Sequence, residues 1–418
     1  MEYFDIQCLS QTEDDIALKK AAHKFAEEVM RPAAKALDTM SADDVVAEGS
    51  PLWPFLKKSY ELGYHKVLLP EYYGGLGLSP LQIHYVFEEM AWGSFGLSVL
   101  LGVIQFPFYG ACLANNEELI ENFVKPFCAC TDGSIRGCWA ITEPDHGSDI
   151  IAVGEDYFTS PKMKGNVQAR LKGDEWIING QKSAWVSGGT IATHALLFLQ
   201  IDPKHGFGGN GICVLPLDLD GVTRGKPLEK LGQRDLNQGE IYFEDVRIPK
   251  NWMIAEPDFY VPLLDMILAA ANAVMATFST GIARATFEEA LAYSKERVQG
   301  TRPIIEHYAH KQRVFKLFAR TEVIRAISRN VINLNMNVSP PITEYSLAAK
   351  TQCTEMAYQN AHELIQIMGG NGLTREYLAE KLFRDARATL IEDGNNETLE
   401  RHGGNILAEH YPRPPLDF

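Results

Sequence analysis

Residues 134–250 hold five short apolar runs, RGCWAI (136–141), DEWIING (174–180), HALLFLQI (194–201), GICVLPL (211–217) and GEIYFEDVRI (239–248), set apart by Gly, Asp and Pro. Runs of this length, rich in β-branched and aromatic residues and closed by turn formers, predict a compact antiparallel β-barrel or sandwich. On either side the texture is helical. IALKKAAHKFAEEVMRPAAKAL (16–37) repeats apolar residues at three and four, and a second such pattern runs from Pro80 toward Gln105. Pro51, Pro70 and the Gly74-Gly75-Leu76-Gly77 cluster punctuate them. After Pro249 helical patterns return at 256–299, 303–335, 342–368 and 374–390. Helices, then strands, then helices predict an α+β chain in which a β-domain at 134–250 sits between helical domains at 1–133 and 251–418.

The 418 residues are 46% hydrophobic and 22% charged, a globular mixture that excludes collagen-like and disordered chains. A net charge of −15, with no run of five Lys or Arg, argues against nucleic acid or an anionic membrane surface as a partner, because phosphates would be repelled. The seven cysteines (8, 112, 128, 130, 138, 213 and 353) are odd in number and contain no Cys-x-x-Cys, so they read as reduced thiols of a cytosolic, cytoplasmic protein. The opening MEYFDIQCLSQTEDD lacks the basic and apolar regions of a signal peptide. The most apolar stretch, Met266 to Phe278, is about a dozen residues against the roughly 20 that span a bilayer, so the expectation is a soluble chain with no membrane partner.

Gly206-Phe-Gly-Gly-Asn-Gly211 matches the dinucleotide fingerprint in letters, but a strand rather than a helix follows it, so it reads as a hairpin loop. No GxxxxGK[ST] occurs, and His307 with His310 lack a third ligand, so no metal site is expected. Three denser stretches remain. Trp139-Ala-Ile-Thr-Glu-Pro-Asp-His-Gly-Ser148-Asp ends a strand in a loop of hydroxyls and backbone donors, able to bond a polar ring and an anion together or simply to cap a turn. In Ile178-Asn-Gly-Gln-Lys-Ser-Ala-Trp185-Val-Ser187 the indole and hydroxyl two apart share one strand face, where they can meet one flat ligand; a strand Trp can equally be core. Gln366-Ile-Met-Gly-Gly-Asn-Gly372, Phe383-Arg-Asp-Ala-Arg387 and Ile391-Glu-Asp-Gly-Asn-Asn-Glu397 combine glycines that permit close approach with adjacent acids at a helix break.

Together with Lys230-Leu-Gly-Gln-Arg234, Phe243-Glu-Asp-Val-Arg-Ile-Pro249 and Ile304-Ile-Glu-His307, these stretches resemble the acyl-CoA dehydrogenase superfamily of flavoproteins, in order and spacing, from about residue 14 to 405. The resemblance implies an N-terminal helical domain, a middle β-barrel and a C-terminal four-helix bundle, assembled as a homotetramer (a dimer of dimers), with FAD as cofactor. It implies that the strand Trp139, Ile141 and Thr142 meets the flavin pyrimidine edge and that Trp185 with Ser187 covers the ring. It implies that Ser148 touches phosphate and the CoA chain, and that Arg297, beside Gln299, grips the pyrophosphate across a subunit interface. Gln366, Gly369 and Gly370 would hold the adenosine half, and Asn395 with Glu397 would close over FAD.

The reaction so implied is α,β-dehydrogenation of an acyl-CoA thioester, with an electron-transfer flavoprotein as acceptor: a carboxylate takes the α-proton while the β-hydrogen leaves as hydride to flavin N5. Aligned through Arg384-Asp-Ala-Arg387, the usual catalytic glutamate falls on Asp393, shorter by one methylene, about 1.5 Å. Glu392 precedes it where the family often has an aromatic, and the other position used for a base in the family is Ala271. Ala269 and Asn272 stand where many members place an Asp and an Arg on CoA, and Gly300 where a Phe is common. Asn272, Glu392, Gly394 and Ser148 are the candidate substrate contacts, and the departures suggest a bulky, alicyclic or otherwise non-standard acyl group. A nitroalkane-oxidase-like oxidase or a redox-neutral lyase of the same fold is the alternative, and a non-catalytic flavoprotein scaffold a second one. The −15 charge argues against the superfamily's DNA-binding branch.

Overall fold

The computed structural model describes residue 5 and residues 10–411. Cys8 lies outside them; the six described cysteines are free, and no described group of three His, Cys, Asp or Glu could hold a metal. α1 (Glu13–Phe25) starts on a capping box, Thr12 Oγ1 accepting from Asp15 N while Asp15 Oδ2 accepts from Thr12 N. It continues through a π-helical turn into α2 (Arg31–Leu37). The helical part is completed by α3 (Ala42–Val46), α4 (Leu52–Glu61), α5 (Pro80–Gly93), α6 (Phe95–Val103), α7 (Phe106–Leu113), α8 (Glu117–Leu119) and α9 (Lys125–Ala129).

Eight strands follow: β1 (Gly137–Ala140), β2 (Gln168–Lys172), β3 (Glu175–Lys182), β4 (His194–Gln200), β5 (Asn210–Pro216), β6 (Val222–Pro227), β7 (Gly239–Pro249) and β8 (Met253–Ala255). Their order is β6-β7-β3-β2-β4-β5-β8, with β1 beside β4. The sheet corrects the antiparallel expectation. β1 and β2 run parallel to β4, and among the described residues nothing pairs β6 with β8, so the sheet is mixed and its path open rather than a closed antiparallel barrel. The chain between β1 and β4, which carries the β2–β3 hairpin, supplies the long crossover that a parallel pair requires. β4 and β5 pair antiparallel, with Gln200 opposite Asn210, through a 3-10 segment at Pro203–Gly209, so Gly206 to Gly209 lies in a hairpin connection and Asn210 and Gly211 open β5.

Period two sorts the central strands between two cores. Leu196, Phe198, Ile212 and Val214 join the helical core, while Ala195, Leu197, Leu199, Cys213 and Leu215 fill the sheet's own interior. Burial on both faces explains why HALLFLQI reads as a continuous apolar run. At Gly180, φ is +131 and the β3–β7 register shifts; a Cβ there would lie 2.0 Å from the Asn166 carbonyl oxygen. Gly180→Ala is therefore expected to lower stability by about 2 kcal/mol, read as a lower urea midpoint; an unchanged midpoint would show that the bulge tolerates a side chain.

α10 (Pro257–Glu296) is the spine of the last part, followed by the short hairpin β9 (Val298–Gln299) and β10 (Arg302–Pro303), then α11 (Tyr308–Asn335), α12 (Thr343–Met368), α13 (Ala379–Ala388) and α14 (Asn396–His410). α10 packs on α5, α11 and α12, and α12 packs on α11, α13 and α14; the expected helix at 374–390 is α13, while α14 was not read from the sequence. α10 is long and apolar enough to cross a membrane by length and composition, which the dozen-residue stretch at Met266–Phe278 understated. Its apolar window is 72% buried in the protein, as a core helix requires.

Candidate active site

The turn between α13 and α14 gathers residues from all three parts of the chain. Asp393 and Gly394 are both left-handed, with φ of 54 and 100. Asn395 then caps α14, its Oδ1 accepting from Glu397 N and Thr398 N at 3.0 and 3.3 Å. From the middle domain, Ser148 Oγ accepts from Asn395 N at 2.9 Å, and Gln233 Nε2 donates to Glu392 Oε1 at 2.6 Å. Gln233 is itself fixed, its backbone N–H donating to Asp385 Oδ1 at 2.5 Å. The adjoining Asp235 accepts from Ser94 Oγ at the start of α6 (2.5 Å) and pairs with Lys381 of α13 (3.3 Å).

The electrostatics separate the two adjacent carboxyls. Asp393 is half-buried, and among the described residues none donates a hydrogen bond to its carboxylate. Burial pushes it up to about 6, against the opposing charge of Lys350. Burial, and then the neighbouring charge of Asp393, push Glu392 up to about 8 despite the Gln233 hydrogen bond and the charges of Lys350 and Lys230. Burial draws both Lys350 and Lys230 down to about 8, against the pull of the nearby carboxylates. Both carboxyls are thus raised, Glu392 further than Asp393 because the charge of Asp393 adds to its burial.

The remaining candidates fall into two groups. In the middle domain, Thr142 O accepts from Ser183 N (3.0 Å) and Ile141 O from Lys182 Nζ (2.9 Å), which seats the 141–149 loop on the end of β3. Gln238 Nε2 donates to Ser187 Oγ (3.1 Å) and to Trp185 O (3.3 Å), leaving the Trp185 side chain 57% exposed. Trp139 is buried against Phe106, ring centroids 5.0 Å apart, with its indole Nε1 unpartnered. The second group lies at the far ends of α10 and α12. Tyr293 OH donates to Met368 O (3.4 Å) and accepts from Asn371 Nδ2 (3.0 Å), which joins the two ends. Arg297, Gln299, Gln366, Gly369 and Gly370 are exposed there, and a Cβ at either glycine would meet nothing within 4 Å. Gln366 is sixteen residues beyond Lys350 on α12, roughly 24 Å along the axis. Asn272 joins neither group: it is fully buried on α10, its Nδ2 donating to Leu268 O at 2.9 Å and its Oδ1 unpartnered.

Sequence reading missed Gln233 and Lys350. The stripe Ser346, Lys350, Cys353, Ala357, Ala361 and Leu364 is buried along α12, and a lysine on a core stripe was the available signal.

Profiles of the acyl-CoA dehydrogenase N-terminal, middle and C-terminal domains match residues 12–129, 138–246 and 265–407. The probable acyl-CoA dehydrogenase YngJ of Bacillus subtilis (strain 168) is 30% identical over 394 residues, covering 92% of this chain and 96% of that one. The chain belongs to the acyl-CoA dehydrogenase family. Solved structures agree on the fold: a glutaryl-CoA dehydrogenase from Mycobacterium smegmatis in complex with FADH2 superposes with a TM-score of 0.83 at 20% identity, covering 99% of each chain. A nitroalkane oxidase crystallised with 1-nitrooctane superposes with a TM-score of 0.86 at 19% identity, covering 95% of this chain and 96% of that one.

Proposed function

We propose that this acyl-CoA dehydrogenase family member is an FAD-dependent enzyme that introduces a double bond between the α and β carbons of an acyl-CoA thioester, with Asp393 as the base. The observation that carries the reading is the half-buried Asp393 carboxylate, without a hydrogen bond from any described residue and pushed up to about 6 by burial, on a turn held from the middle domain and from α12. A desolvated carboxylate of this kind is a stronger proton acceptor than one in water, yet remains mostly ionised at neutral pH.

FAD, when bound, supplies the acceptor for the β-hydride. The donor set fits such a group. Trp185 offers an exposed indole face, Ser187, Thr142 and Ser148 offer hydroxyls, and Asn395 with Glu397 stands at the N-terminus of α14. Arg297, Gln299, Gln366, Gly369 and Gly370 offer a cation, amides and an open backbone for a nucleotide end. These groups occupy opposite ends of α12, so one cofactor would be completed by a second copy of the chain, in keeping with a homotetramer built as a dimer of dimers. An electron-transfer flavoprotein is the proposed oxidant and the cytoplasm the proposed location. The short Asp393 and the small Gly300 favour a bulky, alicyclic or otherwise non-standard acyl group. Anaerobic mixing with a panel of acyl-CoA thioesters is expected to bleach the flavin absorbance, and no bleaching by any thioester would overturn the reading.

Because Glu392 is raised further than Asp393 and holds its proton more tightly, Glu392→Gln is expected to keep the pH 7 reduction rate within about threefold and to preserve the acid limb near pH 6 that Asp393 sets. A collapse at pH 7 would instead make Glu392 the base.

One observation favours a second reading, a nitroalkane-oxidase-like oxidase. Ala269 and Asn272, at the positions where CoA contacts are implied, are both fully buried. Oxygen uptake with nitroalkanes, absent with acyl-CoA, would establish it.

A further inference from the structure

Lys350 is fully buried on α12, and its ammonium donates to Gly394 O at 2.8 Å and to Asn396 Oδ1 at 2.7 Å. These acceptors lie immediately beyond Asp393. Asn396 is in turn anchored to α12 by Nδ2 donating to Thr354 Oγ1 at 3.0 Å. Lys350 therefore staples the stretch that contains two consecutive left-handed residues. A non-glycine residue in that region costs about 1–3 kcal/mol and persists only where its surroundings hold it. Both of its observed acceptors are neutral, and among the described residues no carboxylate oxygen comes within ion-pair distance of Nζ. The groups facing its charge are Asp393 and Glu392 on the turn, with Lys230 and Gln233 approaching Glu392 from the middle domain.

We propose that Lys350 is the positioning residue of the proton-abstraction step: it fixes the left-handed turn that presents Asp393 and places an unpaired positive charge behind that carboxylate. The proposal rests on Asp393 being the base. Burial alone would drive Asp393 toward its neutral form, and the charge of Lys350 works the other way. A buried lysine paired to a carbonyl and an amide, rather than to a carboxylate, keeps its field available to the group that must stay ionised.

The test uses the FAD-loaded protein as parent, Lys350→Gln, Lys350→Met and Asp393→Asn. Lys350→Gln retains a donor to Gly394 O without the charge; Lys350→Met removes both. The acid midpoint of anaerobic flavin reduction is expected to move up by about one pH unit or more in both Lys350 variants. Lys350→Met is expected to lose a further tenfold or so at the pH 8 plateau, where the turn is no longer held. An independent readout is the infrared carbonyl band of protonated Asp393, identified as the band absent from Asp393→Asn, whose titration midpoint should move upward with the kinetic one. A merely structural lysine would lower the melting temperature and leave both midpoints in place, and that result overturns the proposal. If Lys350→Met does not fold, Lys350→Gln decides the matter through the same midpoints. Full activity in Asp393→Asn would instead overturn the base assignment, and the proposal with it. Loss of activity there, with unmoved midpoints in the Lys350 variants, would overturn the role of Lys350 alone.

Discussion

Asp393→Asn is expected to lower the rate of anaerobic flavin reduction by acyl-CoA about 10³-fold, because an amide cannot accept the α-proton and general-base catalysis contributes 10²–10⁴. The substitution is nearly isosteric. The turn is stapled through Gly394 O and Asn396 Oδ1, and not through the Asp393 side chain, so the fold and its melting temperature should be retained. The parent rate should rise with pH through a midpoint near 6, since Asp393 is active only after losing its proton and burial holds that proton on to about 6. The variant should show no such limb. Asp393→Glu restores the chemistry but carries the carboxyl about 1.5 Å further, and a misplacement of this size costs roughly 10²-fold. Stopped-flow reduction under nitrogen measures all three. A rate within tenfold of the parent in Asp393→Asn would remove Asp393 from the reaction.

The parts of this site legible in the sequence are those written in local patterns. The change from helical to strand texture near Ser134 and back after Pro249 reflects side-chain periodicity; the sheet itself runs from β1 at Gly137 to β8, which ends at Ala255, beyond Pro249. Asp393 stands out only through the family alignment at Arg384-Asp-Ala-Arg387; the residues alone show only adjacent acids at a helix break. Partnerships across the chain were not legible. Lys350 and Gly394 are 44 positions apart, and Gln233 and Glu392 are 159 apart, so neither hydrogen bond leaves a trace in spacing. The parallel pairing of β1 with β4 was hidden for a related reason. Strands buried on both faces show no alternation, and direction is set by a crossover rather than by a turn. Asn272 was legible as a polar residue inside an apolar helix, but only the packing shows it sealed and bonded to Leu268.

Glu88→Ala is expected to destabilise the protein by about 3–5 kcal/mol, the cost of removing one partner from a buried ion cluster. Glu88 is fully buried on α5; Arg284 Nη1 and Arg325 Nη2 each reach its Oε1 at 2.9 Å, and Arg329 Nη2 reaches its Oε2 at 3.2 Å. Arg329 also pairs with Asp5 at 2.6 Å, and Arg284 donates to Glu89 Oε1 at 2.7 Å. Burial opposes ionisation of Glu88, but Arg325, Arg284 and Arg329 overcome it and hold the carboxyl well below its ordinary range. A depressed carboxyl contributes stability above its unfolded value, about 4.3, that is lost only as pH falls through the folded one; the cluster should thus persist into acid. Alanine leaves three guanidiniums facing a void, so the urea midpoint should fall with little change in slope. A shift below about 1 kcal/mol would mean that water or Glu89 replaces the lost charge. The damage should also reach the cleft. α5 ends at Gly93, and the next residue, Ser94, holds Asp235 two positions from the Gln233 that grips Glu392. A loosened α5 should therefore weaken the middle-domain hold on the turn that carries Asp393, lowering the plateau rate while leaving the acid midpoint near 6, because the charge of Lys350 is untouched.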